Sequence, residues 1–75
     1  MIWEFDARTF ADDLRNMRQE QGMTQTALAR KAGVSLCTIV NYEGGYNVPH
    51  MQYLTRIAAA LGIKKIIFRT DMKWH

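Results

Sequence analysis

The 75-residue chain has one Cys, 48% hydrophobic and 23% charged residues, which fits one compact domain over residues 1–75 and excludes a multidomain enzyme. A lone Cys37 forms no intrachain disulfide, and with His50 and His75 it supplies too few soft ligands for a structural metal site, so neither metal nor cofactor is expected. The net charge of +3 is uneven, −2 over residues 1–20 and +5 over residues 21–75, so an anionic partner should meet the second part; no apolar run approaches the roughly 20 residues that span a bilayer, which points to the cytoplasm.

At the N-terminus, within residues 1–5, Trp3 and Phe5 alternate with Ile2 and Glu4 in a strand pattern. Phe10, Leu14, Met17 and Gln21 then recur at helical spacing, with Thr9 as N-cap, Asp12 and Asp13 in the first turn where carboxylates suit the positive helix end, and Gly22 as stop. Thr24 can cap a second helix, Gln25 to Ala32, ended by Gly33, since glycine enters a left-handed C′ conformation without steric cost. Ser35 can cap a third, in which Ile39 and Tyr42 share a face and the Gly44-Gly45 pair is the terminator; the gap of about three residues between these two helices is that of a helix-turn-helix over residues 24–44.

Pro49 fits a first helical position and opens a fourth helix with Leu54, Ile57, Ala58 and Leu61 as its apolar stripe and Gly62 as its end. From residue 66 to 74 the chain alternates again: Ile66, Phe68, Thr70, Met72 and Trp74 point one way, and Ile67, Arg69, Asp71 and Lys73 the other. A pairing of the two termini in a small sheet is the first reading, with a fifth helix using Ile63, Ile66 and Ile67 as its rival. Two strands alone are marginal in water, so their apolar face must rest on the helices or on another chain.

The run from Met23 through Thr24, Gln25, Leu28, Ala29, Ala32, Gly33 and Val34 to Ser35, followed by Thr38-Ile39, Tyr42-Glu43, Gly45, Pro49, Leu54, Ile57-Ala58 and Ala60 to Ile63, resembles the lambda-repressor-like (Xre-type) helix-turn-helix family over residues 9–63. That resemblance implies a mainly α, four- to five-helix domain that binds double-stranded DNA and presents its third helix to the major groove. It also implies that Gln25 meets a backbone phosphate or the first base pair, that the loop from Tyr46 to His50, with Tyr46 and Asn47, meets the opposite phosphates, and that Arg18 and Glu43 form an internal ion pair.

The residues themselves agree with this logic. If Leu28, Ala32, Val34, Ile39 and Tyr42 face inward, then Ser35, Leu36, Cys37, Thr38, Val40 and Asn41 form the exposed head of the third helix. Asn41 can pair bidentately with adenine, Ser35 can serve phosphate or base, and Leu36, Cys37 and Val40 can lie against thymine methyls. The N-termini at Thr24 and Pro49 would add backbone amides aimed at phosphates. Without Arg or Gln this head has no bidentate partner for guanine. Ala27 stands where the family often has Glu, so no capping box supports the second helix.

Plainer roles compete at several positions. No Lys, Arg or His stands beside Cys37 in the chain to activate it, so a small inert side chain is favoured over a redox sensor. His50 reads as an exposed helix start, the Met residues as core or interface material, and Lys64-Lys65 as a solvated pair. No nucleophile–base or carboxylate pair stands at a suggestive spacing, so catalysis is not expected. The function expected is a sequence-specific transcriptional regulator, most simply a repressor, acting as a homodimer in the cytoplasm at the nucleoid. The alternative is a protein-interaction module such as the antitoxin of a toxin–antitoxin pair.

Overall fold

The computed structural model describes residues 2–68 as β1 (Ile2–Phe5), α1 (Phe10–Glu20), α2 (Gln25–Ala32), α3 (Leu36–Glu43), α4 (Met51–Ala60) and β2 (Lys65–Phe68). The helices run 8 to 11 residues, shorter than an isolated helix needs to persist in water, so packing must hold them. It does so through one apolar cluster: Phe10 and Leu14 of α1, Leu28 of α2, Ile39 of α3, and Leu54 and Ile57 of α4 are all fully buried. Each such side chain contributes about 1.5–3 kcal/mol by leaving water.

The second helix starts on half a capping box. Thr24 Oγ1 accepts the Ala27 N–H at 3.0 Å, and no acidic side chain at Ala27 returns the bond. It ends where Gly33 takes φ 73° and the Val34 N–H closes on the Ala29 carbonyl at 3.0 Å. Ser35 then caps α3 by accepting the Thr38 N–H at 3.1 Å. Three residues therefore separate α2 from α3, and Ala29 of α2 is buried in the core.

One helix start differs from the sequence expectation, and another keeps the expected cap residue without its cap bond. Pro49 precedes the cap instead of opening α4: His50 is the N-cap, without a side-chain cap bond, and Met51 is the first helical residue. The ring of Pro49 fixes its own φ but does not oblige the next residue to be helical, and His50 is extended at ψ 154°. Thr9 occupies the N-cap of α1, yet its hydroxyl makes no cap bond and instead donates to Asp13 Oδ2 at 2.8 Å. The Thr9 backbone, at φ −112° and ψ 1°, lies outside the extended region from which a cap oxygen usually accepts the N–H groups of the first turn. At the other end of α1, Gln21 lies outside the buried stripe as the C-cap, and its side-chain amide donates to the Leu61 carbonyl at 2.6 Å.

The termini pair as a two-stranded parallel sheet with Ile2 opposite Lys65, Trp3 opposite Ile66, Glu4 opposite Ile67 and Phe5 opposite Phe68. Parallel strands need a long crossover, and here α1 to α4 together provide it. The fifth-helix alternative fails over residues 65–68, which are extended. Extension lets Ile66 join Trp3 and Phe5 on the face packed against the helices, where Trp3 stacks on Phe10 with ring centroids 5.6 Å apart and Phe5 meets Phe68 at 5.6 Å. The strand expected to continue to residue 74, and Met1, lie outside the described residues.

Candidate nucleic-acid interface

The candidate site is the outer face of α3 together with the start of α2 and the loop after α3. Ile39 and Tyr42 point into the core, which fixes the rotation of the helix. The opposite side then carries Ser35, Leu36, Cys37 and Val40 into solvent, with Leu36 at 45% and Val40 at 42% relative exposure. No core packing calls for apolar side chains on that face. Thr38 and Asn41 are half-buried at its margin.

Local bonds organise this face. The Ser35 and Thr38 hydroxyls are 2.8 Å apart and hydrogen-bonded, and the Asn41 amide lies 3.6 Å from the Cys37 sulfur, one turn away. The thiol is a weak acceptor, so the Asn41 amide keeps its capacity for a stronger partner. After α3 the chain turns at Gly45, with φ 79°, and the Tyr46 N–H closes on the Asn41 carbonyl at 3.2 Å. Tyr46 and Asn47, both exposed, are thereby tied to the end of the helix that carries Asn41.

Beneath the face lies a buried ionic cluster. Arg18 of α1 and Glu43 of α3 form a two-pronged ion pair, Nε to Oε2 at 2.7 Å and Nη2 to Oε1 at 3.0 Å, with the Glu43 side chain only 4% exposed. The hydrogen bond to Glu43 raises the Arg18 pKa, burial opposes the shift, and the Glu43 charge adds to it. Arg18 Nη1 also donates to the Met23 carbonyl at 2.8 Å, and Arg15 Nη1 to the Glu43 carbonyl at 3.2 Å, so the loop before α2 and the end of α3 hang on α1.

Gln25 joins the same cluster: its Nε2 donates to Glu43 Oε1 at 3.2 Å. Gln25, expected at a phosphate or the first base pair, thus meets Glu43, expected in an ion pair with Arg18, and Arg15, for which the chain pattern predicts no role, reaches the Glu43 carbonyl. No periodicity relates residues brought together across three elements, so neither contact carried a signal in the chain. Thr24 is exposed beside Gln25, with its hydroxyl engaged in capping.

Among the described residues no group of three or more His, Cys, Asp and Glu side chains could hold a metal ion, and no helix is long and apolar enough to cross a membrane.

A short α2, a glycine turn and a partly apolar α3 whose outer face the core does not use define a helix-turn-helix protein. The family comparison agrees: a helix-turn-helix model matches residues 14–67, and the chain belongs to that family, whose members are DNA-binding regulators. It is 42% identical over 53 residues to an uncharacterized HTH-type transcriptional regulator of Methanothermobacter thermautotrophicus, with 71% of this chain and 77% of that one covered. It is 35% identical over 52 residues to the antitoxin HipB of Escherichia coli, covering 57% of this chain and 55% of HipB.

Among solved structures, the restriction-modification controller protein C.AhdI of Aeromonas hydrophila superposes with a TM-score of 0.74 at 27% identity, over 79% of this chain and 89% of that one. The chain spans only about a third of the length of two other curated relatives, 34% and 32%.

Proposed function

We propose that this protein is a sequence-specific, double-stranded-DNA-binding transcriptional regulator, acting as a repressor by occupancy, as a homodimer, in the cytoplasm at the nucleoid. The observation that carries this reading is the outer face of α3: Leu36, Cys37 and Val40 are exposed at the helix-turn-helix position although the core has no use for them there. Family membership gives such a face its role, because the second helix of the motif enters the major groove.

In this reading Ser35, Leu36, Cys37, Thr38, Val40 and Asn41 read base edges and thymine methyls, with Asn41 as the bidentate partner of an adenine. Thr24 and Gln25 at the start of α2, and Tyr46 and Asn47 after α3, meet phosphates, fixing register without reading sequence. One α3 spans only a few base pairs, so specificity requires two copies on half-sites about 34 Å apart. Selection of bound duplexes from a random library tests the proposal. An enriched near-palindrome supports it, and recovery of no motif at moderate salt refutes it.

A second reading, a protein-interaction module of the antitoxin kind that grips a toxin with the same apolar face, is favoured by the similarity to HipB. Salt separates the two: phosphate neutralisation makes log affinity fall steeply with log salt, whereas an apolar protein contact changes little.

A further inference from the structure

We infer that the outward face of the terminal sheet is a self-complementary docking surface for a second copy of this chain. The strands turn Trp3, Phe5 and Ile66 toward the helices, with Phe68 on the same face against Phe5 but 41% exposed, which leaves Ile2, Glu4, Lys65 and Ile67 on the other side. Ile2 is 59% and Ile67 is 42% exposed, and Glu4 and Lys65 are also exposed. Neither charge has an ion-pair partner among the described residues.

The register arranges these four side chains as a square with one apolar diagonal, Ile2 to Ile67, and one charged diagonal, Glu4 to Lys65. Strands lie about 4.8 Å apart and same-face residues about 6.7 Å apart, so the Glu4 and Lys65 backbones stand roughly 8 Å apart, a span that long side chains can bridge, yet the two charges are not paired. A two-fold axis along the isoleucine diagonal sets each isoleucine on its own counterpart and each Glu4 near the other copy's Lys65. The remaining in-plane axes fail: along the strands Ile2 meets Lys65, across them Ile2 meets Glu4, and along the charged diagonal like charges meet.

The chosen axis crosses the two sheets steeply, a recognised mode of sheet packing. It also covers the exposed side of a two-stranded sheet, an arrangement that is marginal when left in water. Four side chains a copy fall well short of the roughly 800 Å² that each partner buries in a standard interface, so the association is weak and concentration-dependent on its own.

Sedimentation equilibrium without DNA tests this, and stands whether or not the chain reads an operator. Wild type is expected to self-associate as its concentration rises toward the millimolar range. Glu4→Lys and Lys65→Glu alone each weaken association about tenfold, because each turns both ion pairs into repulsions, and the double reversal returns to within about threefold of wild type. Ile67→Ser, which leaves the charges in place, also weakens it. Melting temperatures verify that each variant folds. A wild type that stays monomeric, single reversals that associate like wild type, or a double reversal that does not recover each overturns the inference.

Discussion

Arg18 and Gln25, from different helices, donate to the same oxygen of Glu43, at 3.0 Å and 3.2 Å. The Glu43 carboxylate therefore joins α1, the start of α2 and the end of α3 at one point, and the Arg18 guanidinium compensates its charge. On the proposed DNA-facing side this has two effects. A carboxylate that would repel phosphate is neutralised, and the Gln25 amide is anchored by one N–H before any ligand arrives, so less side-chain freedom is lost on binding.

The ion pair is expected to matter for stability chiefly through what its loss leaves behind. Arg18→Ala strands the Glu43 carboxylate at 4% exposure and should cost about 3–5 kcal/mol. Replacing both partners with apolar residues, Arg18→Met with Glu43→Leu, should cost less than Arg18→Ala alone. Urea unfolding of the variants measures both; a double replacement more damaging than the single would contradict the account.

The anchoring of Gln25 predicts coupling in DNA binding. Gln25→Ala should weaken duplex affinity more in wild type than in Glu43→Gln, where the charged acceptor is gone, with an interaction energy within the roughly 0.5–3 kcal/mol seen for residues in contact. The cycle is read by titration against a selected duplex. Strict additivity would show that Glu43 does not act through Gln25.

Asn41 should carry base discrimination. It sits on α3 with only the weakly accepting Cys37 sulfur as side-chain partner among the described residues, so Asn41→Ala should leave the melting temperature almost unchanged. Discrimination between operator and random duplex should fall by about 1–3 kcal/mol. Equal loss on both duplexes would move Asn41 from reading bases to general affinity.

What the chain revealed of its fold depended on whether the cause was local. Caps and glycines act within a few residues, so Thr24, Gly33 and Ser35 marked the bounds of α2 and the start of α3 correctly. Alternation around Trp3 and Ile66 gave the inward face of each strand, because a period of two leaves one choice once one face is apolar. Pro49 misled, since the residue tolerates a helix start without requiring one there. Thr9 marked the N-cap position of α1 correctly, although its hydroxyl donates to Asp13 instead of capping a backbone N–H. In the candidate site the exposed head of α3 followed from subtracting the core stripe. The Gln25–Glu43 contact and the grip of Arg15 on the Glu43 carbonyl depend on how three helices pack, which no local pattern encodes.

Alkaline stability should depend on Tyr42. Burial, and secondarily the charge of Tyr53, raise its pKa above the ordinary tyrosine value. The folded protein thus holds this proton more tightly than the unfolded chain does. The associated stability is complete below the unfolded value of about 10 and is lost as pH climbs from there through the raised folded value. Tyr42→Phe removes this loss, so its stability should decline less than wild type's above about pH 10. Parallel decline in both proteins, followed by chemical denaturation, would assign the alkaline loss to other groups.

Trp3 gives the last test. Its indole is buried and stacked on Phe10, yet Nε1 has no hydrogen-bond partner among the described residues. A buried donor left unpaired costs about 1–3 kcal/mol, while the aromatic stacking and apolar burial favour the native position. Trp3→Phe deletes the orphaned N–H and keeps a ring against Phe10, at the expense of a smaller buried surface and some empty volume. The two changes oppose each other, so this substitution should fall within about 1 kcal/mol of wild type, whereas Trp3→Ala, which loses the ring without compensation, should cost about 3–5 kcal/mol. If Trp3→Phe proves as damaging as Trp3→Ala, the indole N–H has an acceptor in solution, and the unpaired donor is not a feature of the working fold.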